Sequence, residues 1–382
     1  MGFHEFSSPY DWSRIAAYKR TAKAAFGGMI DLSVGSPVDP VPDSVRKALA
    51  VAANDPNAYG YPATAGTADL RAAIAEWFSA ARNVDLQAIH ADVVPTVGSK
   101  EGVALMASLL HFGEDDVVVQ PKVSYPTYEI GTQLAGAQVL KVDDVADVAS
   151  WRNVPGVKWV WVNSPCNPTG EVYSAERMAG IVAAAREIGA VVLSDECYAL
   201  MQWRGATNSA DDDPLQSTPC ALRSDVCAGS AEGVLVLYSL SKQSNMAGYR
   251  TAFIAGDESL IASMSAYRKQ IGQIIPGPVQ AAMAAGLRDL ESVKVQHARY
   301  RERLGVLVSA LRAYGYCTDM PDGALYVWVR AKSGDCWTDM EQLAKIGIIA
   351  SPGEFYGAPE CLRFSATASD EAIASAAERL AR

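Results

Sequence analysis

The stretch "GVLVLYSLSKQSNMAGYR" (residues 233–250) joins two unlike pieces of chain. Its first part is a short apolar, β-branched run, the composition of a buried strand. The second part at once presents Ser239, Ser241 and Lys242, with Arg250 following eight residues after the lysine. Three more runs have the same form: "DVVVQP" (116–121), "VKWVWVNS" (157–164) and "AVVLSDE" (190–196). Between the last two, Ser174 is placed to cap a helix, Met178, Ile181, Val182 and Ala185 keep helical spacing, and Gly189 can end it. Strands alternating with helices predict an α/β fold built on a mainly parallel sheet. Ligands of such sheets bind at the carboxyl ends of strands, where Asn163, Asp195 and Ser239 fall.

Composition narrows the classes. The chain has 382 residues, 49% of them hydrophobic, enough for one large domain or for two sharing a core. No stretch approaches the ~20 apolar residues that cross a bilayer. The amino terminus also lacks the apolar segment of a secretory signal, so no membrane association and a cytoplasmic location are expected. Net charge is −10 and the basic residues are scattered, which argues against nucleic acid and for small-molecule partners. Seven cysteines without a C-x-x-C pair, and four histidines (His4, His90, His111, His297) without ligand spacing, predict reduced thiols and no metal.

The rhythm of elements divides the chain into an arm over residues 1–45 that is part of a small domain, a large domain over 46–285 and a small C-terminal domain over 286–382. Near 286 the pattern turns into a long charged helix (VKVQHARYRERLGVLVSALRAYG), then the strand "GALYVWV". Residues 204–233, with "ADDDP" and "STPC", read as a long excursion carrying solvated charge.

Several residues suggest one chemistry. A lysine at an arbitrary position is solvated, but Lys242 lies among Ser239, Ser241 and Arg250, two hydroxyls and a bidentate cation that suit a phosphate dianion. A shielded lysine beside a phosphate site is how a protein holds pyridoxal phosphate, through a Schiff base. "TVGSKEGVALMASLL" (96–110) reads as a glycine turn opening a helix whose free amides at Gly98, Ser99 and Lys100 could bind an anion or simply start the helix. Asp195 could pair with a pyridinium nitrogen or cap a following helix. Asn167 in "NSPCNPTG" and Tyr198 could reach the ring oxygen. Tyr125 in "PKVSYPTY" could stack on a planar ring or pack in the core. Arg363 in "ECLRFSAT" requires an anion, either a substrate carboxylate or a structural partner.

With these residues assembled, the sequence resembles the class I/II aminotransferases of the aspartate aminotransferase fold. Five landmarks match in order: "YPATAGTADLR", "NSPCNPTG", "SDECY", "SLSKQSNMAGYR" and "LRFSA". The resemblance implies a seven-stranded, mainly parallel sheet flanked by helices, with a smaller α/β domain. It implies that Lys242 carries pyridoxal 5′-phosphate and moves the substrate proton, with Asp195 on the ring nitrogen, Asn167 and Tyr198 on the ring oxygen, and Tyr125 stacked on the ring. Gly98, Ser99, Lys100, Ser239, Ser241 and Arg250 would cradle the phosphate. Arg363 would hold the substrate α-carboxylate, assisted by Gly35 and Asn167. Tyr61 in "YGYPATAG" would reach the neighbouring subunit's phosphate, which implies a homodimer with shared sites. "DLSVGSPVDPVPDSVRKAL", "SYPTYEIG" and "ASPGEFYG" look like the N-succinyldiaminopimelate aminotransferases, which exchange an amino group between N-succinyl-LL-2,6-diaminopimelate and 2-oxoglutarate.

Rival readings keep parts of this pattern. An aminotransferase for another amino acid such as aspartate, or a pyridoxal phosphate β-lyase, would use the same core residues. A non-enzymatic regulator needs a fused DNA-binding module, for which the roughly 30 residues before "IDLSVGSP" leave no room. A nicotinamide oxidoreductase needs an early G-x-G-x-x-G, which is absent.

Overall fold

A computed structural model describes residues 11–56, 58–203 and 218–382. His4 and the acidic part of the 204–233 excursion, residues 210–214, lie outside the described residues. The chain divides into two compact units. The larger comprises Ser36–Arg301 and Pro321–Ala324; the smaller comprises the chain through Gly35, Glu302–Met320 and Leu325–Arg382. The charged helix occupies Leu290–Ala313.

In chain order, strand β1 (Ile30–Asp31) belongs to the smaller unit. The larger unit holds β2 (Ala91–Val97), β3 (Val117–Pro121), β4 (Gln138–Val142), β5 (Val157–Asn163), β6 (Val191–Asp195), β7 (Val234–Ser239) and β8 (Thr251–Asp257). Together these form one sheet in the order β2-β8-β7-β6-β5-β3-β4. Neighbours from β7 to β4 run parallel, and β8 is antiparallel to both β7 and β2. The interior strands are buried on both faces, which is why β5, β6 and β7 read as continuous apolar runs. Helices supply the covering layers. In one of them, Ala175–Glu187, the Ser174 hydroxyl accepts from the Arg177 amide at 3.2 Å and Gly189 leaves the helix at φ +67°.

The smaller unit adds β9 (Tyr326–Arg330), β10 (Ile348–Ile349), β11 (Ser351–Pro352) and β12 (Cys361–Ser365). β1 pairs parallel with β10, while β11, β12 and β9 form an antiparallel sheet in that order. Among the described residues no helix is long and apolar enough to cross a membrane.

Candidate active site

Register places the carboxyl ends of the central strands side by side. Asn163 at the end of β5 pairs with Asp195 at the end of β6, and Asp195 pairs with Leu237 of β7. Ser239 at the end of β7 faces Ala252, and Val97 at the end of β2 faces Thr251, the first residue of β8. Gly98 and Arg250, the residues flanking Val97 and Thr251 in sequence, therefore reach the same edge of the sheet. Four strands deliver Asn163, Asp195, Ser239 with its following Lys242, and the Gly98 turn to one rim. Lys242 is half-buried there.

The Gly98 turn has a steric reason. Gly98 sits at φ +78° and caps the helix Ser99–Leu109, and an ideal Cβ on it would overlap the Arg250 guanidinium. Arg250 also takes the left-handed conformation, φ +58°, and its Nη1 donates to the Ala247 carbonyl at 2.7 Å. Opposite, the Ser239 hydroxyl donates to Ser241 Oγ (2.8 Å) or to the Thr251 carbonyl (3.1 Å), and accepts from the Ser241 amide. Hydroxyls, an exposed guanidinium and the start of an 11-residue helix thus collect around one turn.

Asp195 caps no helix. Its Oδ1 accepts from the Cys197 amide at 3.2 Å and its Oδ2 accepts from the Tyr128 hydroxyl at 2.8 Å. Burial pushes its carboxyl above the usual carboxylate range, against the pull of the Tyr128 and Cys197 donors. No cation lies within ion-pair distance of it among the described residues. Its backbone carbonyl accepts from Asn163 Nδ2 at 2.9 Å, and Asn163 Oδ1 in turn accepts from the Asn167 amide at 2.8 Å, so β5 ties the Asn167 turn to the Asp195 tip.

The Cys197 thiol reports how close these groups stand. Burial and the Asp195 carboxylate push it well up, while Ser99 and the Lys242 charge pull it down. One sulfur therefore feels residues from the Gly98 helix, the β6 tip and the β7 turn. Tyr198, on the same turn, is buried.

Tyr128 was not singled out by the sequence reading, which chose its neighbour Tyr125. Tyr128 lies in the helix Thr127–Leu134, stacks on Trp161 (centroids 4.3 Å apart, planes 18° apart) and presents its ring to Tyr125 edge-to-face at 5.7 Å. Tyr125 is half-buried and Lys100 exposed; Tyr61 is fully exposed. Gly35 and Arg363 belong to the smaller unit, where both meet Tyr326. Arg363 is buried and donates through Nη2 to the Ser33 carbonyl at 2.8 Å.

The profile of the family described as "Aminotransferase class I and II" matches residues 27–380. Across 97% of this chain and 98% of its own length, 4-dedimethylamino-4-oxo-anhydrotetracycline transaminase of Streptomyces rimosus is 40% identical. LL-diaminopimelate aminotransferase of Syntrophobacter fumaroxidans is 29% identical over 97% of this chain and 95% of its own. A solved structure of a probable N-succinyldiaminopimelate aminotransferase from Thermus thermophilus has a TM-score of 0.84 at 27% identity, covering 97% of this chain and 99% of that one.

Proposed function

Because the chain belongs to the class I and II aminotransferase family, we propose that it is a pyridoxal phosphate-dependent transaminase whose amino donor is N-succinyl-LL-2,6-diaminopimelate and whose acceptor is 2-oxoglutarate. The observation that carries the cofactor is Asp195, a buried carboxylate served among the described residues by neutral donors only, on the same rim as Lys242. A protonated pyridine nitrogen is the cation that such a carboxylate lacks. The Gly98 turn fits a phosphate equally well, since the Cβ-free approach of Arg250 leaves a guanidinium beside a helix start and two serine hydroxyls.

Bound there, pyridoxal phosphate would act as the electron sink that makes the α-hydrogen of an amino acid acidic. The chain's own residues do the rest. Lys242 Nζ would anchor the cofactor and would be the base that takes the proton from the donor's α-carbon. Asp195 keeps the ring nitrogen protonated, with Asn167 and Tyr198 on the ring oxygen and Tyr125 over its face. Gly98, Ser99, Lys100, Ser239, Ser241 and Arg250 hold the phosphate. Arg363 holds the donor's α-carboxylate in its planar fork, with Gly35 and Asn167 assisting. Tyr61, fully exposed on the larger unit, is assigned to the phosphate of a second copy, which makes the working form a homodimer.

The diaminopimelate assignment is supported by the likeness to the Thermus thermophilus protein and by the LL-diaminopimelate aminotransferase among the relatives. A second donor–acceptor pair is favoured by the 40% identity to the 4-dedimethylamino-4-oxo-anhydrotetracycline transaminase. Mixing the cofactor-loaded protein with N-succinyl-LL-diaminopimelate, LL-diaminopimelate, glutamate or aspartate, and following the cofactor's colour, separates these cases. Bleaching by the succinylated donor and turnover with 2-oxoglutarate support the assignment. Bleaching by glutamate alone transfers it to another acceptor, with a 4-oxo-anhydrotetracycline ketone tested next, and release of pyruvate, ammonia and sulfide from added cysteine would replace transamination by β-elimination. Lys242→Ala should lose the colour of the lysine-bound cofactor and all turnover; an unchanged spectrum would remove Lys242 from its role.

A further inference from the structure

Arg363 occupies the middle of β12, facing Trp328 of β9 and Ser351 of β11. Its guanidinium carbon lies 4.0 Å from the centroid of the Tyr326 ring and 4.7 Å from that of Tyr356. Tyr356 is fixed in turn through its hydroxyl, 3.2 Å from Ser351 Oγ. Tyr326 packs closely over Gly35, on which an ideal Cβ would overlap the tyrosine Oη and stand 2.9 Å from Cζ. Gly35 does not use the left-handed backbone region, so space and not conformation demands glycine there.

Aromatic faces attract a guanidinium and leave its hydrogen-bonding edge in the plane, where a carboxylate binds by two parallel contacts. An arginine free to rotate would lose that match. Resting on the reading that Arg363 holds the substrate carboxylate, we propose that Gly35, Tyr326 and Tyr356 form a clamp that orients the Arg363 guanidinium and thereby sets the affinity for carboxylate substrates. Tyr326 and Tyr356 are positioning residues, and Gly35 acts through Tyr326 by leaving room for its hydroxyl.

The test uses the cofactor-loaded protein and succinate, an unreactive dicarboxylate, with the dissociation constant read by calorimetry and cofactor content by absorbance. Gly35→Ala should weaken succinate about tenfold and raise KM for both substrates in parallel, with cofactor content kept. Removing the hydroxyl in the double variant Gly35→Ala/Tyr326→Phe takes away the worst overlap and leaves ring carbons 2.9 and 3.0 Å from the new Cβ, so it should restore part of the affinity, a rescue that general destabilisation would not give. Tyr356→Leu should weaken succinate independently, which keeps the idea testable if Gly35→Ala folds poorly. Parental affinity in Gly35→Ala, or a loss that Tyr326→Phe does not relieve, overturns the clamp. Arg363→Ala separates the two levels: if it binds succinate like the parent, the carboxylate reading itself falls, whereas if it alone loses binding, only the clamp falls.

Discussion

Asp195 and Glu196 are consecutive carboxylates at the tip of one strand, both almost sealed from solvent, yet their neighbours differ in kind. Successive residues of extended chain point to opposite sides. Glu196 turns to Arg82, whose Nη2 donates to it at 2.8 Å, and also accepts from the Ser194 hydroxyl and the Ala221 amide. Asp195 turns to the rim and, among the described residues, receives neutral donors, the Tyr128 hydroxyl and the Cys197 amide and thiol. The chain neutralises one charge internally and leaves the other to be met by something that arrives. A buried acid with a built-in cation serves the fold, and the one without a cation is the group proposed to meet the ring nitrogen.

The largest expected effect lies on the Glu196 side. Glu196→Gln leaves the Arg82 charge buried, and among the described residues its Nε and Nη1 already lack partners. The variant should lose about 3–5 kcal/mol of stability in denaturant unfolding. A variant as stable as the parent would erase the contrast. Asp195→Asn should do the reverse. Turnover should fall by about a hundredfold or more, since a preorganised charge is removed from the reacting centre. Stability without cofactor should not fall. The folded carboxyl titrates above its unfolded value, so the folded parent holds its proton longer and loses stability as pH rises from about 4. The Asn variant should lack that slope, and unfolding measured across pH checks it. An Asn variant less stable at every pH would make Asp195 a structural carboxylate like its neighbour.

The same tip marks how far sequence alone reaches. β3, β5, β6 and β7 were legible because burial on both faces writes itself as an unbroken apolar run, and the residues ending β5, β6 and β7 came with them. β2, β4 and β8 were not. β2 carries Pro95, which the sheet tolerates because β2 is an edge strand. β8 carries Gly256, where a side chain would collide with the Val234 carbonyl, and β4 is an outer strand with exposed Gln138 and Lys141. Contacts across long sequence separations were equally hidden. Arg82 meets Glu196 only after β6 is placed, Tyr128 meets Asp195 from 67 residues away, and the two tyrosines at Arg363 are set by the pairing of β9, β11 and β12. Residue types alone draw attention to Lys242, Asp195 and Arg363 because charge at a strand end or inside an apolar strand is conspicuous. Tyrosines that steer those charges look like ordinary core.

Tyr128 gives the smallest effect and the finest test of the contrast. Its hydroxyl favours the ionised form of Asp195, and Tyr128→Phe removes that donor while leaving the ring on Trp161. Asp195 can then take up a proton instead of staying buried and charged, so the stability of the cofactor-free chain should change by less than about 1 kcal/mol. Cofactor affinity should fall about tenfold, because the carboxylate proposed to meet the pyridinium would lose one of its stabilising donors. If Tyr128 acts through Asp195, the two substitutions are not independent: in an Asp195→Asn background, Tyr128→Phe should cost almost nothing more. Equilibrium cofactor binding to the four proteins of that cycle gives the coupling directly. Additive losses would place Tyr128 on the cofactor by some other route and leave Asp195 served by Cys197 without it.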